Sequence, residues 1–403
     1  MALPISPDAP RLTPQTAAAL MASRVEAVRE YELVELAATR GRVLAESIVS
    51  DRASPPCTVS AMDGFAVRLD ELGEPLPVVG EVRIGRAPPQ LPNAASLRIV
   101  TGAPLPDGAD TVLRVEDATL DGGFLRAQAR PLRGANVRLK GENGPAGTAA
   151  APPGSLVTAG ALGAAAAFGC SALRVLRPLA LTIIVTGDEL EAIGAPVDDY
   201  QIRDSNGPAL HALFERPWIA VRRAPRVPDD VAALQMAVEE ALATSDAVVL
   251  TGGVSKGAYD YVPGVLSALG VEVLFHRLPQ RPGHPVLGGI TLSGVPVFGL
   301  PGNPLSAMVT GRRLVLPTIA ARAGLSPRAA GLAPLLVTTA DQRGLPNHWH
   351  FPLVTHRGDD AGRDVTVLNG RGSGDVIALG RSDGFIEVAP GQNGPGPWPF
   401  YGW

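Results

Sequence analysis

The alternation of hydrophobic and polar residues has a different period in different parts of the chain. From Leu179 to about residue 328, short apolar runs typical of buried strands alternate with segments whose apolar residues recur at helical spacing. The predicted elements are strand Leu179–Val185, helix Gly207–Glu215, strand Trp218–Arg223, helix Val231–Ala243, strand Ala247–Leu250, helix Val262–Gly270, strand Val271–Phe275, a hairpin across Ile290–Phe298 and a long helix from Leu305. Strand–helix alternation of this kind predicts a doubly wound, mainly parallel α/β sheet.

The helix predicted over residues 231–243 has one apolar stripe and a start signal. The stripe consists of Val231, Leu234, Val238 and Leu242. Asp229 and Asp230 precede it, where the side chain of an N-cap residue accepts a hydrogen bond from a backbone N–H. We expect the whole stripe to be buried.

The segments on either side of this α/β region have other patterns. Thr13 to about Ser47 is predicted to be helical, with Thr13-Pro14 as a helix start. Short mixed runs between turns follow up to about residue 150, which is typical of β-structure, and residues 159–170 are again helix-like. We therefore predict a multidomain α/β and β-rich protein with a discontinuous helical and linker domain (1–48 and 151–177), a β-rich inserted domain (49–150), an α/β domain (178–330) and a C-terminal small β-barrel domain (331–403).

Three glycine-containing loops follow apolar runs of the α/β region. They are Thr186–Glu189, Thr251–Ser255 and Gly299–Pro304. Because ligands of an open parallel sheet bind beyond the carboxyl ends of the strands, we expect all three loops to line one edge. Glycine-rich loops and helix N-termini bind anions through backbone N–H groups, so this edge is predicted to bind a phosphorylated or oxyanionic ligand.

Each loop offers binding groups that also have a simpler structural explanation. Asp188 and Glu189 could hold a hydrated Mg²⁺ or accept a hydrogen bond from a ribose or pterin, or they could cap the next turn. Gly252 and Gly253 allow the backbone to approach a phosphate closely. Asp260 could join the site or cap the following helix.

The third loop and a basic segment carry the remaining candidates. Pro301 and Pro304 make a rigid turn that either presents a helix N-terminus to a ligand or is a stiff connection. The segment 277–285 is constrained by prolines and carries the basic residues Arg277, Arg281 and His284. These residues could clamp an oxyanion, or the segment could be a solvated basic loop.

Composition and charge narrow the class of protein and of partner. Of 403 residues, 46% are hydrophobic and 18% are charged, which is typical of globular domains. A net charge of −4 does not favour a nucleic acid or an anionic membrane as partner. No signal peptide is evident and no apolar run is long enough to span a bilayer, so a cytoplasmic location is expected. Lysine occurs only at 140 and 256, so arginine is expected to do most of the anion binding.

The cysteines, the C-terminal histidines and the tail carry no recognisable chemistry. Cys57 and Cys170 cannot form a disulfide framework. The histidines without metal-ligand spacing, for which structural roles are expected, are His348, His350 and His356. The tail Gly391–Trp403 is rich in glycine, proline and aromatic residues, and its sequence fits either disorder or local packing of the aromatics.

Loops along nearly the whole chain carry a combination of motifs that is more specific than any one of them. The segments are SAMDGFA (60–66), TGAPLPDGAD (101–110), GANVRLKGEN (134–143), TGDEL (186–190), TGGVS (251–255) followed by Asp260, RPGHP (281–285) and GLPGNPLSA (299–307). In this order they resemble the molybdopterin molybdenumtransferase family, which includes bacterial MoeA and the E domain of gephyrin.

The resemblance implies an architecture and a reaction. Subunits of several domains form a homodimer, and the active cleft lies between the α/β domain of one subunit and the β-rich insertion of the other. The reaction uses molybdate, adenylylated molybdopterin and Mg²⁺, and yields molybdenum cofactor and AMP. A molybdopterin adenylyltransferase and molybdoenzymes are the implied protein partners.

The resemblance also implies roles for residues at the matching motif positions. The implied catalytic residues are Asp63, Thr101, Glu189 and Asp260. The implied Mg²⁺ ligands are Glu189, Asp229 and Asp260. The implied substrate-binding residues are Arg138, Asp188, Asp229, Gly252, Gly253, Ser255, Arg277, Arg281, His284, Pro301, Gly302, Asn303, Pro304 and Ser373.

Three differences from the family pattern keep other functions open. The family's lysines in the basic segment are replaced by Arg277, Arg281 and His284, and Lys256 replaces a small apolar residue in the second loop. The basic stretch after Arg138 is reduced to Leu139-Lys140. One alternative is an enzyme that processes nucleotides without inserting molybdate. The other is a non-catalytic carrier or scaffold that binds molybdopterin or a nucleotide.

Overall fold

The chain forms two compact units. In the computed structural model, which describes residues 12–255, 260–326, 328–356 and 364–403, the first unit contains residues up to Glu46, Pro153–Thr158 and Ala172–Trp403. The second contains Ser47–Pro152 and Ala159–Ser171. The α-helices of the described part are α1 (Pro14–Arg24), α2 (Ala159–Ala167), α3 (Asn206–Phe214), α4 (Val231–Thr244), α5 (Val262–Ala268), α6 (Pro304–Thr310), α7 (Leu316–Arg322) and α8 (Val376–Gly380). No helix in these ranges has both the length and the apolar character needed to cross a membrane.

A six-stranded sheet organises the first unit. Its order is Ile219–Arg223, Leu179–Val185, Ala247–Thr251, Pro296–Leu300, Leu287–Ile290 and Glu272–His276. The first four strands are parallel and the last two are antiparallel to their neighbours, which confirms a mainly parallel sheet. The strand predicted at Val271–Phe275 forms as Glu272–His276 and runs in the direction of the first four strands, but the antiparallel strand Leu287–Ile290 separates it from them. The connection from His276 to Leu287 is too short for the crossover that a parallel pair requires, so the chain returns as an antiparallel neighbour.

Helices cover both faces of this sheet, as the predicted doubly wound fold requires. Ile183 points to one face, where it shares a core with Met21 of α1 and Leu213 of α3. Its neighbour Ile184 points to the other face and packs with Val238 of α4. Successive strand residues thus face opposite cores, as the period of two in a strand requires.

In helix α4 the predicted N-terminal start is confirmed, and so is the predicted burial of the two middle residues of the apolar stripe. Asp230 is the N-cap, and its side chain accepts a hydrogen bond from the backbone N–H of Ala233 at 2.8 Å. Leu234 and Val238 are buried. The predicted burial is wrong for the two ends of the stripe. Val231 in the first turn is 47% exposed, and Leu242 is half-buried. Ala241 takes the third buried position, because it completes a face that recurs at helical spacing after Leu234 and Val238.

The N-terminal segment is only partly helical. Helix α1 begins after Thr13, whose side chain and that of Thr16 form a capping box, as the Thr13-Pro14 start predicts. In the rest of the predicted helical segment, only the 3₁₀ helix Leu36–Ala38 is helical. The prediction is wrong for Tyr31–Glu35, which forms a strand antiparallel to Ala172–Leu176. The partner that stabilises this strand lies far away in the sequence, and a local pattern cannot indicate it.

The C-terminal segment forms a small β-barrel, as predicted. The five strands are ordered Leu335–Val337, Trp398–Gly402, Gly384–Ile386, Leu353–His356 and Val365–Val367. A parallel bridge between Thr338 and Asp364 joins the first strand to the last and closes the barrel. The same segment also contains a short antiparallel pair, in which Gln342–Arg343 pairs with Asn393–Gly394. Residues of the aromatic tail form a central strand, so local packing is the correct alternative for Trp398–Gly402.

The second unit is β-rich, as predicted for the insertion. Its six-stranded sheet has the order Thr111–Arg114, Gly64–Val67, Ser96–Ile99, Leu76–Glu81, Phe124–Ala127 and Ala118–Asp121. Two short pairs accompany it, Ile48–Val49 with Ala149–Ala151 and Val59–Ser60 with Val137–Arg138. The helix predicted over residues 159–170 is α2, which ends at Ala167.

Candidate active site

The three glycine-containing loops lie side by side at one edge of the six-stranded sheet. The strands that precede them are parallel neighbours, so their carboxyl ends meet there. The backbone N–H of Thr186 donates to Thr251 O at 3.2 Å, and the N–H of Gly252 donates to Leu300 O at 3.2 Å. The prediction that the loops share one edge is therefore confirmed.

The second loop approaches the first so closely that it requires glycine. Gly252 has φ +99°, and a Cβ atom at this position would lie 2.5 Å from the carbonyl oxygen of Thr186. A side chain would therefore clash with backbone and adopt a conformation that L-residues rarely take. Gly253 also has a positive φ, of 63°. Consecutive residues of this type turn backbone N–H groups toward a common point, which is the arrangement that binds phosphate.

The side chain of Asn206 connects the second and third loops by hydrogen bonds. Its role has no recognisable signal in the sequence. Its Nδ2 atom donates to Thr251 Oγ1 at 2.9 Å and to Gly302 O at 2.7 Å. Its Oδ1 atom is buried and has no hydrogen-bond partner in the described residues. Thr251 Oγ1 in turn donates to Pro301 O at 3.0 Å. The side chain thus fixes the spacing of two loops that are far apart in the sequence.

Two carboxylates lie together at the first loop. The Thr186 hydroxyl donates to Asp229 Oδ1 at 3.0 Å, and the N–H of Asp188 donates to Asp229 Oδ2 at 3.4 Å. The N–H of Asp229 donates back to Asp188 Oδ1 at 3.1 Å. Glu189 is exposed next to this pair, and its carbonyl accepts from Ile202 N–H at 2.8 Å. The side chain of Asp229 therefore binds the first loop, while the side chain of the neighbouring Asp230 caps α4.

The start of α5 is attached to the second loop. The N–H of Val262 donates to Gly253 O at 3.2 Å, and Asp260 lies just before Tyr261, the N-cap of α5. Ser255 is exposed at the end of the loop. Lys256 lies outside the described residues.

Ser373 reaches the third loop from the C-terminal part of the chain. Asn303 Nδ2 donates to Ser373 Oγ at 2.9 Å, and the N–H of Leu305 donates to Ser373 O at 3.1 Å. Pro304 is the first residue of α6, so the turn presents the N-terminus of that helix. Asp375 caps α8, and the hydrogen bonds it accepts from the N–H groups of Ala378, Arg371 and Ile377 lower its pKa.

The basic segment lies beside the second loop and α6. His276, just before the segment, has its Nε2 atom 2.9 Å from Val254 O. Gly283 packs so tightly on α6 that a Cβ atom would lie 2.6 Å from Thr310 Cγ2. Arg277 has a positive φ of 72°, and Arg281 is exposed. The structure therefore brings the basic segment to the same edge as the loops.

The implied residues Asp63, Thr101 and Arg138 of the second unit are exposed. The Thr101 backbone N–H and hydroxyl both donate to Asp63 Oδ1, at 2.7 and 2.8 Å, and they lower the pKa of the Asp63 carboxyl. The N–H of Ala61 donates to Asn136 O at 2.8 Å, which links the first and third motifs of this unit. Arg138 forms an ion pair with Glu142. The three motif segments of the second unit thus meet in space.

In the part of the chain that the structure describes, the candidate metal ligands do not form a closed protein site. Within the described ranges, no three side chains of His, Cys, Asp or Glu come together as a set that could hold a metal ion. Backbone hydrogen bonds join Asp188 and Asp229 at the first loop.

Two stretches of the chain match known family models. Residues 12–169 match the MoeA N-terminal region (domain I and II), and residues 182–321 match a probable molybdopterin binding domain. Together with the fold, these matches define a multidomain protein of molybdenum cofactor biosynthesis.

Comparison with individual proteins narrows this class. The molybdopterin molybdenumtransferase of Nostoc sp. (strain PCC 7120) is 34% identical over 324 residues, which cover 78% of this chain and 74% of that protein. The molybdopterin molybdenumtransferase of Haemophilus influenzae is 34% identical over 313 residues and 77% of each chain. The crystal structure of the molybdopterin biosynthesis moea protein from Pyrococcus horikosii superposes with a TM-score of 0.77 at 26% identity, over 98% of this chain and 100% of that one. The chain therefore belongs to the molybdopterin molybdenumtransferase family, which confirms the resemblance seen in its loops.

Proposed function

We propose that this protein transfers molybdenum from molybdate to adenylylated molybdopterin, with Mg²⁺, and releases AMP. The observation that carries the proposal is the edge where three loops meet two paired carboxylates. Backbone N–H groups and a helix N-terminus suit the phosphates of an adenylylated substrate. The relatives from Nostoc and Haemophilus influenzae are molybdopterin molybdenumtransferases, which supports this reaction class.

The residues at this edge fit Mg²⁺. This ion prefers oxygen ligands and is commonly held by one or two carboxylates together with waters and substrate phosphates. Asp229 fits that donor set, with Asp188 held against it, and the proposal retains Glu189 and Asp260 as further ligands. When bound, the ion would neutralise charge on the phosphate link to AMP.

The other groups at the edge act by positioning and electrostatics. Gly252, Gly253 and Ser255 would hold phosphate through backbone and hydroxyl groups. The third loop, with Ser373 attached, would shape the molybdate side. Arg277 and Arg281 would bind the molybdate oxyanion through charge-assisted hydrogen bonds, together with His284. We propose no protein nucleophile, because charge stabilisation in a fixed environment supplies the catalysis.

The proposal includes a homodimer. Asp63, Thr101 and Arg138 would contribute to catalysis and binding from a second copy of the chain, as the family resemblance implies. A molybdopterin adenylyltransferase would supply the substrate and molybdoenzymes would receive the product.

Release of AMP from adenylylated molybdopterin tests the proposal. Purified protein and Mg²⁺ are incubated with the substrate, with and without molybdate. Molybdate-dependent release is the expected result. Release without molybdate would indicate a nucleotide-processing enzyme, and binding of the nucleotide without any release would indicate a carrier or scaffold.

A further inference from the structure

The segment between the first loop and α3 exposes large apolar side chains. Tyr200 is 90% exposed, and Ile193 and Ile202 are each 56% exposed. Arg203 Nε and Nη2 donate to Ala195 O at 3.0 and 2.8 Å, which closes the segment into a loop. Single exposed apolar side chains are common on protein surfaces, but a group of them on one loop indicates a binding surface.

Hydrogen bonds fix the backbone on both sides of the Tyr200 ring. The N–H of Tyr200 donates to Asp198 Oδ1 at 2.8 Å. The side chain of the next residue, Gln201, donates through Nε2 to Glu191 Oε1 at 2.9 Å. A ring on a fixed backbone loses little conformational freedom when it binds a ligand. Tyr200 is therefore suited to bind a ligand and not only exposed.

The loop that carries Tyr200 is attached to the first glycine-containing loop. The N–H of Ile202 donates to Glu189 O at 2.8 Å, and the two segments pair in parallel from there on. Tyr200 is two residues before Ile202, which is at most about 7 Å of chain. A Cβ atom on Gly187 would lie 2.7 Å from Glu189 Oε2, so the Glu189 carboxylate lies against the first loop. Tyr200 thus belongs to the same end of the edge as the proposed Mg²⁺ ligands.

The order of the strands indicates which part of the substrate reaches this end. The strand Ala247–Thr251, which leads to the second loop, lies between the strands that lead to the first and third loops. Since neighbouring strands are about 4.8 Å apart, the first and third loops are separated by about 10 Å. In the proposed function molybdate lies at the third loop and the phosphates lie at the second. The adenosine beyond the phosphates would then lie at the first loop.

An adenine ring requires a kind of contact that the assigned residues of the first loop do not provide. Asp188, Glu189 and Asp229 offer carboxylates, which suit Mg²⁺ or hydroxyl groups. A base binds most generally by stacking its flat face on an aromatic side chain. Tyr200 has such a side chain.

We propose that Tyr200 is a specificity-determining residue, whose ring stacks on the adenine of adenylylated molybdopterin and of the product AMP. The inference rests on the proposed function and assigns a residue to recognition of the base. Stacking of one base on one aromatic side chain changes affinity by at least about fivefold when the side chain is replaced by alanine. Removal of the ring and removal of the base should therefore weaken binding by the same contribution.

Direct binding of AMP and of ribose 5-phosphate tests the stacking. Both are titrated into the full chain with Mg²⁺ by isothermal titration calorimetry. Tyr200→Ala should weaken AMP binding by about tenfold. It should leave the affinity for ribose 5-phosphate unchanged, because that compound has no base. Tyr200→Phe keeps the ring and should keep the wild-type affinity for AMP.

Steady-state kinetics gives a second readout, and another exposed tyrosine gives a control. In the AMP-release assay, Tyr200→Ala should raise the KM for adenylylated molybdopterin by about tenfold and leave the KM for molybdate unchanged. Tyr31→Ala should behave like wild type. Tyr31 is 57% exposed and pairs with Leu176, shortly before the amino end of the strand Leu179–Val185, whereas the first loop follows the carboxyl end. Thermal melting and sedimentation velocity establish that each variant is folded and retains the oligomeric state of wild type.

Several results would overturn the stacking and leave the proposed function intact, provided that release of AMP depends on molybdate. One is an unchanged affinity for AMP in folded Tyr200→Ala, and another is a wild-type protein that does not bind AMP. Equal losses of affinity for AMP and ribose 5-phosphate would show that Tyr200 supports the loop and does not contact the base. A monomeric Tyr200→Ala beside a dimeric wild type would assign the loop to a contact between copies of the chain.

The opposite combination separates the two proposals from the other side. AMP binding that depends on the ring of Tyr200, without molybdate-dependent release from the adenylylated substrate, would confirm the stacking. The proposed function would then fail, and the protein would be a nucleotide-binding member of its family.

Discussion

Asp188 and Asp229 hold each other by reciprocal hydrogen bonds, each backbone N–H donating to the carboxylate of the other, at 3.4 and 3.1 Å. The two residues follow neighbouring parallel strands, and a bridge between Thr186 and Val227 keeps those chain segments in register. Both carboxylates are therefore oriented by backbone at the edge of the sheet. The Asp188 carboxylate thus accepts a hydrogen bond from Asp229 on the neighbouring chain segment. A turn cap would instead accept from a residue shortly after Asp188.

The carboxylate of Asp229 should be essential to the reaction but not to the fold. Asp229→Asn replaces one acceptor by an NH₂ group that faces donors, and it removes the charge proposed to bind Mg²⁺. We expect kcat/KM for AMP release to fall by about 100-fold or more, with the free energy of unfolding changed by no more than about 1 kcal/mol. Urea unfolding and the AMP assay measure the two quantities.

Asp230→Asn is a matched control for this prediction. It removes the same charge from the adjacent residue, and asparagine caps helices as well as aspartate does, so α4 keeps its start. The control should retain wild-type activity. Equal activity losses in the two variants would show that general charge near the loop, and not the Asp229 carboxylate, matters.

Mixing two inactive variants should restore activity if the site is shared between copies. Asp63→Asn removes a carboxylate of the second unit, and Asp229→Asn removes one of the first. In a mixed homodimer one site would combine the intact residue of each copy, and the other site would carry both changes. After subunit exchange of equal amounts, about a quarter of wild-type activity is expected, since half of the dimers are mixed and each has one intact site.

Sedimentation velocity should show a dimer for each variant and for the mixture. Mixtures that stay inactive, although exchange is demonstrated with tagged subunits, would contradict a site built from two copies. They would leave open a site within one chain.

Asn206 should contribute to stability and to activity at once. Asn206→Ala removes the donor to Thr251 Oγ1 and to Gly302 O, and leaves buried acceptors without it. We expect a loss of about 1–3 kcal/mol in the free energy of unfolding, together with weaker substrate binding. Asn393→Ala, at an exposed asparagine whose side chain donates to Gly391 O, is the control and should cost less than about 0.5 kcal/mol. A fully active, fully stable Asn206→Ala would show that the loops hold their spacing without this side chain.

His350 should make the folded state less stable in acid. Burial lowers the pKa of His350, although a hydrogen bond to the backbone of Arg343 acts in the opposite direction. The folded state therefore binds a proton less readily than the unfolded state, whose histidine pKa is about 6.5. The contribution is present above that value and is lost as pH falls through the lower pKa of the folded state.

Urea midpoints at about pH 7.5 and about pH 5, on either side of the usual histidine pKa, check this prediction. Wild type should lose more stability on acidification than His350→Gln does. His356→Gln, which changes an exposed histidine, should keep the wild-type loss. The same loss in wild type and His350→Gln would contradict the prediction.

The features that can be predicted from the sequence are those with local signals. A strand, a glycine-containing loop and a helix occupy consecutive residues, so the sequence pattern alone predicts them. The position of the loops with Gly252 and Gly302 at one edge of the sheet follows from this pattern. The start of α4 at Asp230 is equally local. The order of the motifs then identifies the family, which no single loop could do.

Features that depend on distant partners could not be predicted in this way. Asn206 stands in a sequence that fits a helix start, and only the position of Gly302 reveals its second role. Tyr31–Glu35 is a strand because Ala172–Leu176 pairs with it. The hydrogen bonds between Asp188 and Asp229 depend on the neighbouring order of two strands. The pairing of Trp349–His350 with Gln280–Arg281 also joins segments that are far apart in the sequence.

The packing of α1 against α7 has a consequence for synthesis of the chain. Val28 N–H donates to Arg322 O at 2.9 Å, Arg322 Nη1 donates to Glu26 O at 2.8 Å, and Met21 shares its core with Ile319. Helix α1 therefore leaves the ribosome well before the residues that cover its apolar side, an interval read from the 296-residue separation of Glu26 and Arg322. During translation that side therefore stays uncovered until α7 has been synthesised.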